Sequence, residues 1–91
     1  MMTWKFRDGA DTAPYKRFLA TGAPIPGVEK FDRYHAANGS GNGWIVATTD
    51  DLTAVYQHCA EWNNYLEWTV TPVLTDEAAG ATAAKVTSPL T

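Results

Sequence analysis

The stretch Arg17-Phe-Leu-Ala-Thr-Gly-Ala-Pro-Ile-Pro-Gly-Val28, followed by Phe31-Asp-Arg-Tyr-His-Ala-Ala-Asn-Gly-Ser-Gly41, decides the fold. Its first half ends a helix. Gly22 accepts the left-handed conformation that closes a helix, and Pro24 and Pro26 forbid its continuation. Its second half is a polar-aromatic strand over 28–37 that runs into a Gly-rich turn. Alternation puts Phe31, Arg33 and His35 on one face of that strand, and Lys30, Asp32, Tyr34 and Ala36 on the other. The segment Asn38–Gly43 reverses the chain, because Asn and Gly tolerate the positive φ of tight hairpins. A third strand, 44–49, rich in β-branched residues, then returns alongside the second.

Upstream, Met2-Thr-Trp-Lys-Phe-Arg7 alternates apolar and polar residues and predicts a first strand, with Met2, Trp4 and Phe6 on one face. Asp11 or Thr12 is placed to cap the first helix, with Pro14 in its first turn, where a missing N–H does no harm. Tyr15, Phe18 and Leu19 form its expected buried stripe. Downstream, Asp50 or Asp51 caps a second helix with an expected stripe of Leu52, Val55, Tyr56, Cys59 and Trp62, and Asn63-Asn64 stops it. A fourth strand over 65–73 sets Leu66, Trp68 and Val70 against Glu67, Thr69 and Thr71. Pro72 marks an edge or a strand end, since it donates no ladder bond. Thr75 or Asp76 opens a short Ala-rich helix to about Lys85, weakened by Gly80, and Thr87–Thr91 is expected to fray.

The order β-α-β-β-α-β predicts an α+β, ferredoxin-like domain. Its four-stranded antiparallel sheet runs fourth, first, third, second strand, with two helices on one face. Residues 1–75 make the domain, and 76–91 a C-terminal helix and tail. The chain has 91 residues, eleven of them aromatic. A domain of this size buries only about 60–65% of its unfolded surface. One sheet face also lacks a cover, so a homodimer through that face is expected.

The net charge of −3, with scattered Lys and Arg, offers no basic stripe for phosphates and argues against nucleic acid. No apolar run approaches the roughly 20 residues of a membrane helix. Cys59 is the only cysteine, so no internal disulfide forms, and the opening Met-Met-Thr-Trp-Lys carries no apolar leader. These features point to the cytoplasm. No cofactor is implied.

The residues Arg17-Phe-Leu-Ala-Thr-Gly-Ala-Pro, Arg33-Tyr-His-Ala, Asn38-Gly-Ser-Gly and Val70-Thr-Pro-Val-Leu resemble an uncharacterised bacterial family, domain of unknown function 3303. The resemblance runs from Trp4 to about Glu77. Family members usually carry Trp where this chain has Tyr34. The resemblance implies a dimeric α+β barrel, in which two ferredoxin-like sheets face each other and enclose pockets. That group holds cofactor-independent monooxygenases, haem-degrading enzymes, isomerases, lyases and ligand-sensing domains, so membership fixes no chemistry.

His35 is the leading candidate for chemistry. Imidazole moves protons near neutral pH, and Arg33 on the same strand face can hold a carboxylate or enolate bidentately. The competing reading is structural, with both residues bonding across a dimer. Trp4, Trp44 and Trp68 lie on three strands and can wall a flat ligand or simply pack. A ligand site is therefore expected from Trp4, Phe31, Arg33, His35, Trp44 and Glu67, the last as a carboxylate facing the barrel. The run Gly39-Ser-Gly-Asn-Gly43 is no phosphate loop, because a strand and not a helix follows it. His35, His58 and Cys59 match no zinc spacing, so no metal is expected, and Cys59 reads as a small buried apolar residue. Two functions follow: a homodimeric module binding a small ligand or partner in the barrel cavity, or a cofactor-independent monooxygenase- or isomerase-like enzyme with His35 as acid/base. A purely structural subunit is the third.

Overall fold

A computed structural model describes residues 1–87. The expected fraying of the tail falls mostly on residues 88–91, outside the described residues. Strands β1 (Met2–Phe6), β2 (Lys30–His35), β3 (Asn42–Thr48) and β4 (Leu66–Val70) alternate with helices α1 (Ala13–Thr21) and α2 (Leu52–Glu61), and α3 (Asp76–Val86) follows. The strands form one antiparallel sheet ordered β2-β3-β1-β4, the order expected from the sequence. The fold is α+β and ferredoxin-like.

Register fixes which side chains share a face, because residues directly opposite in an antiparallel pair point the same way. Trp4 lies opposite both Gly43 and Trp68, Met2 opposite Ile45, Arg33 opposite Ile45, and His35 opposite Gly43. All of these face the helices. The core gathers Met2, Trp4, Ile45 and Leu66 from the sheet with Val55 and Trp62 from the second helical segment. The Pro/Gly corner adds Ala23 and Ile25, so this connection plugs the core and does not merely reverse the chain. The opposite face carries Tyr34, Trp44 and Val46, all exposed.

Two glycines let aromatic rings lie flat on the sheet. A Cβ on Gly43 would stand 2.5 Å from Cζ2 of Trp4 and 2.1 Å from the Tyr34 carbonyl. One on Gly41, which also has φ +75°, would stand 2.6 Å from the Phe6 ring. The hairpin glycines thus act as seats for β1 aromatics as well as turn formers.

The helices depart from the expected stripes. Leu19 is 82% exposed and Tyr15 is also open to solvent, leaving Phe18 half-buried and Pro14 buried on α1. On α2, Leu52 and Tyr56 are exposed, and the buried side is Ala54, Val55, His58 and the following Trp62. The stripe is rotated so that His58, not Tyr56, points inward. Cys59 is half-buried rather than buried. Thr12 occupies the cap position of α1 without a side-chain bond, whereas Asp51 caps α2 by accepting from the Thr53 N–H.

Two guanidiniums hold the C-terminal end of α2. Arg17 donates to the Glu61 carbonyl, and Arg7 donates to the Asn63 carbonyl at 2.8 Å and to its Oδ1 at 3.0 Å. Cations there satisfy the last carbonyls and oppose the negative end of the helix dipole. Strand β4 stops at Val70, short of Val73. Its pairing reaches Thr71, whose N–H donates to the Met1 carbonyl at 2.7 Å, and Pro72 then offers no donor. Helix α3 starts on a Thr75 side-chain cap and buries no residue. Among the described residues no helix is long and apolar enough to cross a membrane.

Candidate functional site

A cavity of about 230 Å³ lies between the helices and the sheet. Its floor is Trp4, Arg33, His35, Ile45 and Trp68. Its roof comes from Tyr15, Phe18 and Leu19 of α1 and from His58 and Trp62 at the α2 side. The lining is almost wholly apolar and aromatic, and the exposed Leu19 and Tyr15 mark its mouth. This cavity exists because α1 turns a sparse face to the sheet: Phe18 reaches inward while its neighbours stay in solvent.

His35 sits at the exposed side of this space. Its ring stands edge-on to Trp4, with centroids 5.1 Å apart, and to Phe18, at 5.4 Å. Arg33 is engaged from within the fold. Its guanidinium donates to the Ala23 carbonyl at 2.6 Å and covers the faces of Phe31 and Phe18, 5.0 and 5.5 Å from their centroids. Burial lowers its pKa from the ordinary value. It remains a cation, since an arginine pKa starts far above neutrality. Ala23 itself holds φ +45°, a left-handed conformation that costs a non-glycine residue about 1 kcal/mol. The Thr21 hydroxyl, accepting from the Ala23 N–H at 3.0 Å, and the Arg33 bond hold it there.

His58 is the most deeply buried polar side chain, 3% exposed. It lies between Trp68, 5.5 Å away edge-to-face, and Trp62, at 6.3 Å. Burial, reinforced by the positive charge of Arg33, pushes its pKa down to about 4. The ring is therefore neutral at pH 7, with one nitrogen an N–H donor and the other a bare acceptor. The Pro24 carbonyl beside the ring favours a proton on the nitrogen facing it, and Nδ1 has no hydrogen-bond partner. Two further buried nitrogens lack partners, the indole Nε1 atoms of Trp4 and Trp68. Buried polar groups are normally satisfied, so three such orphans stand out.

The sequence-derived candidates divide between the two sheet faces. Trp4, Arg33 and His35 line the cavity, and Phe31 packs beside the core under Arg33. Trp44 and Glu67 lie on the opposite face, on a shallow polar depression with Thr3, Lys5 and Asn42. There the Glu67 carboxylate pairs with Arg7 at 3.8 Å, with both side chains well exposed. The strand face bearing Arg33 and His35 looks at the helices of its own chain rather than across a dimer. Sequence reasoning missed His58, Trp62 and Phe18 as site residues. The available signal was the spacing 54, 55, 58, 62 on α2, an alternative helical stripe that buries a histidine.

A comparison with curated proteins found no match, and a comparison with solved structures found none. The family model described as Domain of unknown function (DUF3303) matches residues 1–87, nearly the whole chain. On that match over nearly its whole length, this chain belongs to the DUF3303 family.

Proposed function

We propose that this domain binds a small, flat, largely apolar ligand in the cavity between its helices and its sheet. The observation that carries the reading is an aromatic-lined, almost wholly apolar space of about 230 Å³. An apolar cavity of about 150 Å³ already accepts benzene, so this one has room for a substituted ring. The reading moves the ligand from between two sheets to within one protomer.

The four tryptophans give the test an internal control. Titration with p-xylene, followed by the indole N–H signals in NMR, should shift Trp4, Trp62 and Trp68 saturably and leave Trp44 unmoved. A response confined to Trp44 would place binding on the open face and overturn the reading.

Catalysis with His35 as acid/base and Arg33 as anion clamp is the alternative. Two observations weigh against it. Arg33 already serves the Ala23 carbonyl, and no carboxylate lines the cavity to orient an imidazole. The same proposal includes a homodimer in a reducing compartment such as the cytoplasm. Support for the dimer is the exposed Tyr34, Trp44 and Val46 on the uncovered sheet face. Its interface should exceed about 1,000 Å² in total. Light scattering should give twice the chain mass, and Val46→Lys should return the monomer. A wild-type monomer at micromolar concentration would remove this part.

A further inference from the structure

The walls of the cavity offer a guest carbon and almost nothing else. The unpartnered nitrogens of Trp4, Trp68 and His58 are sealed within the packing with almost no accessible surface, so none of them can bond to a guest. The Arg33 guanidinium is turned to the Ala23 carbonyl and lies over the Phe18 and Phe31 rings. A polar group brought here leaves its water and finds no partner, which opposes binding. A cation would be drawn to the ring faces, but no Asp or Glu lines the space and the charge of Arg33 repels it.

The remaining choice is between a saturated and an aromatic body. Rings dominate the lining and meet at steep angles. Trp4 lies flat on β3 over Gly43, His35 stands at 74° to it, and Phe18 stands at 84° to His35. Such walls offer both the negative faces and the positive edges of rings. An aromatic guest complements both, stacked or edge-on, beyond the dispersion that any carbon body gains. We propose that the ligand of this cavity is an uncharged aromatic ring with no hydrogen-bonding group on its buried part. This inference rests on the reading of the cavity as a ligand site and names the class of ligand that the site selects.

The test titrates the wild-type chain with benzene, cyclohexane, phenol and benzoate, followed by the indole N–H signals in NMR. The affinities of benzene and cyclohexane are each divided by the probe's partition coefficient from water into hexadecane, which removes plain hydrophobicity. On that scale benzene should lead cyclohexane about three- to tenfold, the worth of an aromatic pair. Phenol and benzoate should bind no more tightly than benzene. Parity of cyclohexane with benzene overturns the aromatic preference. Phenol or benzoate ahead of benzene by about tenfold, the ratio for a net hydrogen bond in a buried site, reveals a polar partner and overturns the inference too. The cavity reading stands in either case. No saturable shift of Trp4, Trp62 or Trp68 with any probe overturns the cavity reading itself. Trp68→Leu keeps an apolar wall and removes a ring, so the lead of benzene over cyclohexane should shrink while both still bind. The wild-type series decides the matter if that variant does not fold.

Discussion

Acidification should unfold this domain earlier than its carboxylates alone dictate, through His58. The side chain is 3% exposed, and its pKa falls from the ordinary 6.5 to about 4, chiefly by burial and then by the charge of Arg33. Because the folded-state value lies below the unfolded one, the unfolded chain takes the proton first. The stabilisation is complete above the unfolded value and is lost as pH falls from there towards about 4. At about 1.4 kcal/mol for each tenfold change, the full loss is about 3 kcal/mol, of which about 2 kcal/mol has gone by about pH 5. That is a large share of the stability of a small domain. Urea unfolding followed by tryptophan fluorescence between about pH 7 and about pH 5 reads the slope before most carboxylates titrate. His58→Gln is uncharged throughout and should flatten it. A wild-type loss below about 0.5 kcal/mol over that range, or an unchanged slope in His58→Gln, would refute the buried neutral imidazole.

Gly43→Ala should destabilise the fold by about 2–3 kcal/mol, in the range of overpacked sites, because the new methyl meets Trp4 and the Tyr34 carbonyl; an unchanged urea midpoint would contradict the seating of Trp4. Removing the chain from Thr75 onward should leave the unfolding free energy in urea within about 0.5 kcal/mol, since α3 buries nothing. A large loss there would show that the helix belongs to the core. Burial raises the Cys59 pKa, with the thiol half-covered, so a thiol reagent at neutral pH should react more slowly than with a free cysteine. Reaction at the free rate would reverse that expectation.

Topology was readable from the sequence because its signals are local. Gly22, the paired prolines and the Asn/Gly hairpin each act on the backbone where they stand, and the strand alternation around Trp4 and Trp68 needs no partner to be seen. The face carried by β3 was not readable. Trp44 and Val46 alternate with Ile45 and Ala47, so both sides look apolar, and only the pairing of Trp4 with Gly43 breaks the tie. The helix stripes failed for a related reason. Leu52, Tyr56 and Leu19 have the hydrophobicity of core residues, but which side of a helix turns inward depends on the sheet beneath it, and all three stay exposed. His58 went unrecognised because burying a histidine depends on Trp62 and Trp68 arriving from other elements. Arg33 and His35 were found together because they are two residues apart on one strand, a relation the sequence displays directly.

The terminal helix has its own thermodynamics. Its start and end are specified from within, by the Thr75 cap, Asp76 and Glu77 in the first turn and Lys85 in the last. Its 11 residues bury nothing against the sheet, and Gly80 interrupts its middle. Isolated helices shorter than about 12–15 residues are marginal in water, so the population of α3 responds to whatever surface it touches beyond its own chain. Helix content in this protein is therefore a mixed signal, one part tied to the cooperative unfolding of the sheet and one part free to melt gradually by itself. A thermal scan read in the far ultraviolet against one read by tryptophan fluorescence separates the two parts, since α3 holds no tryptophan and the sheet and the α2 side hold all four.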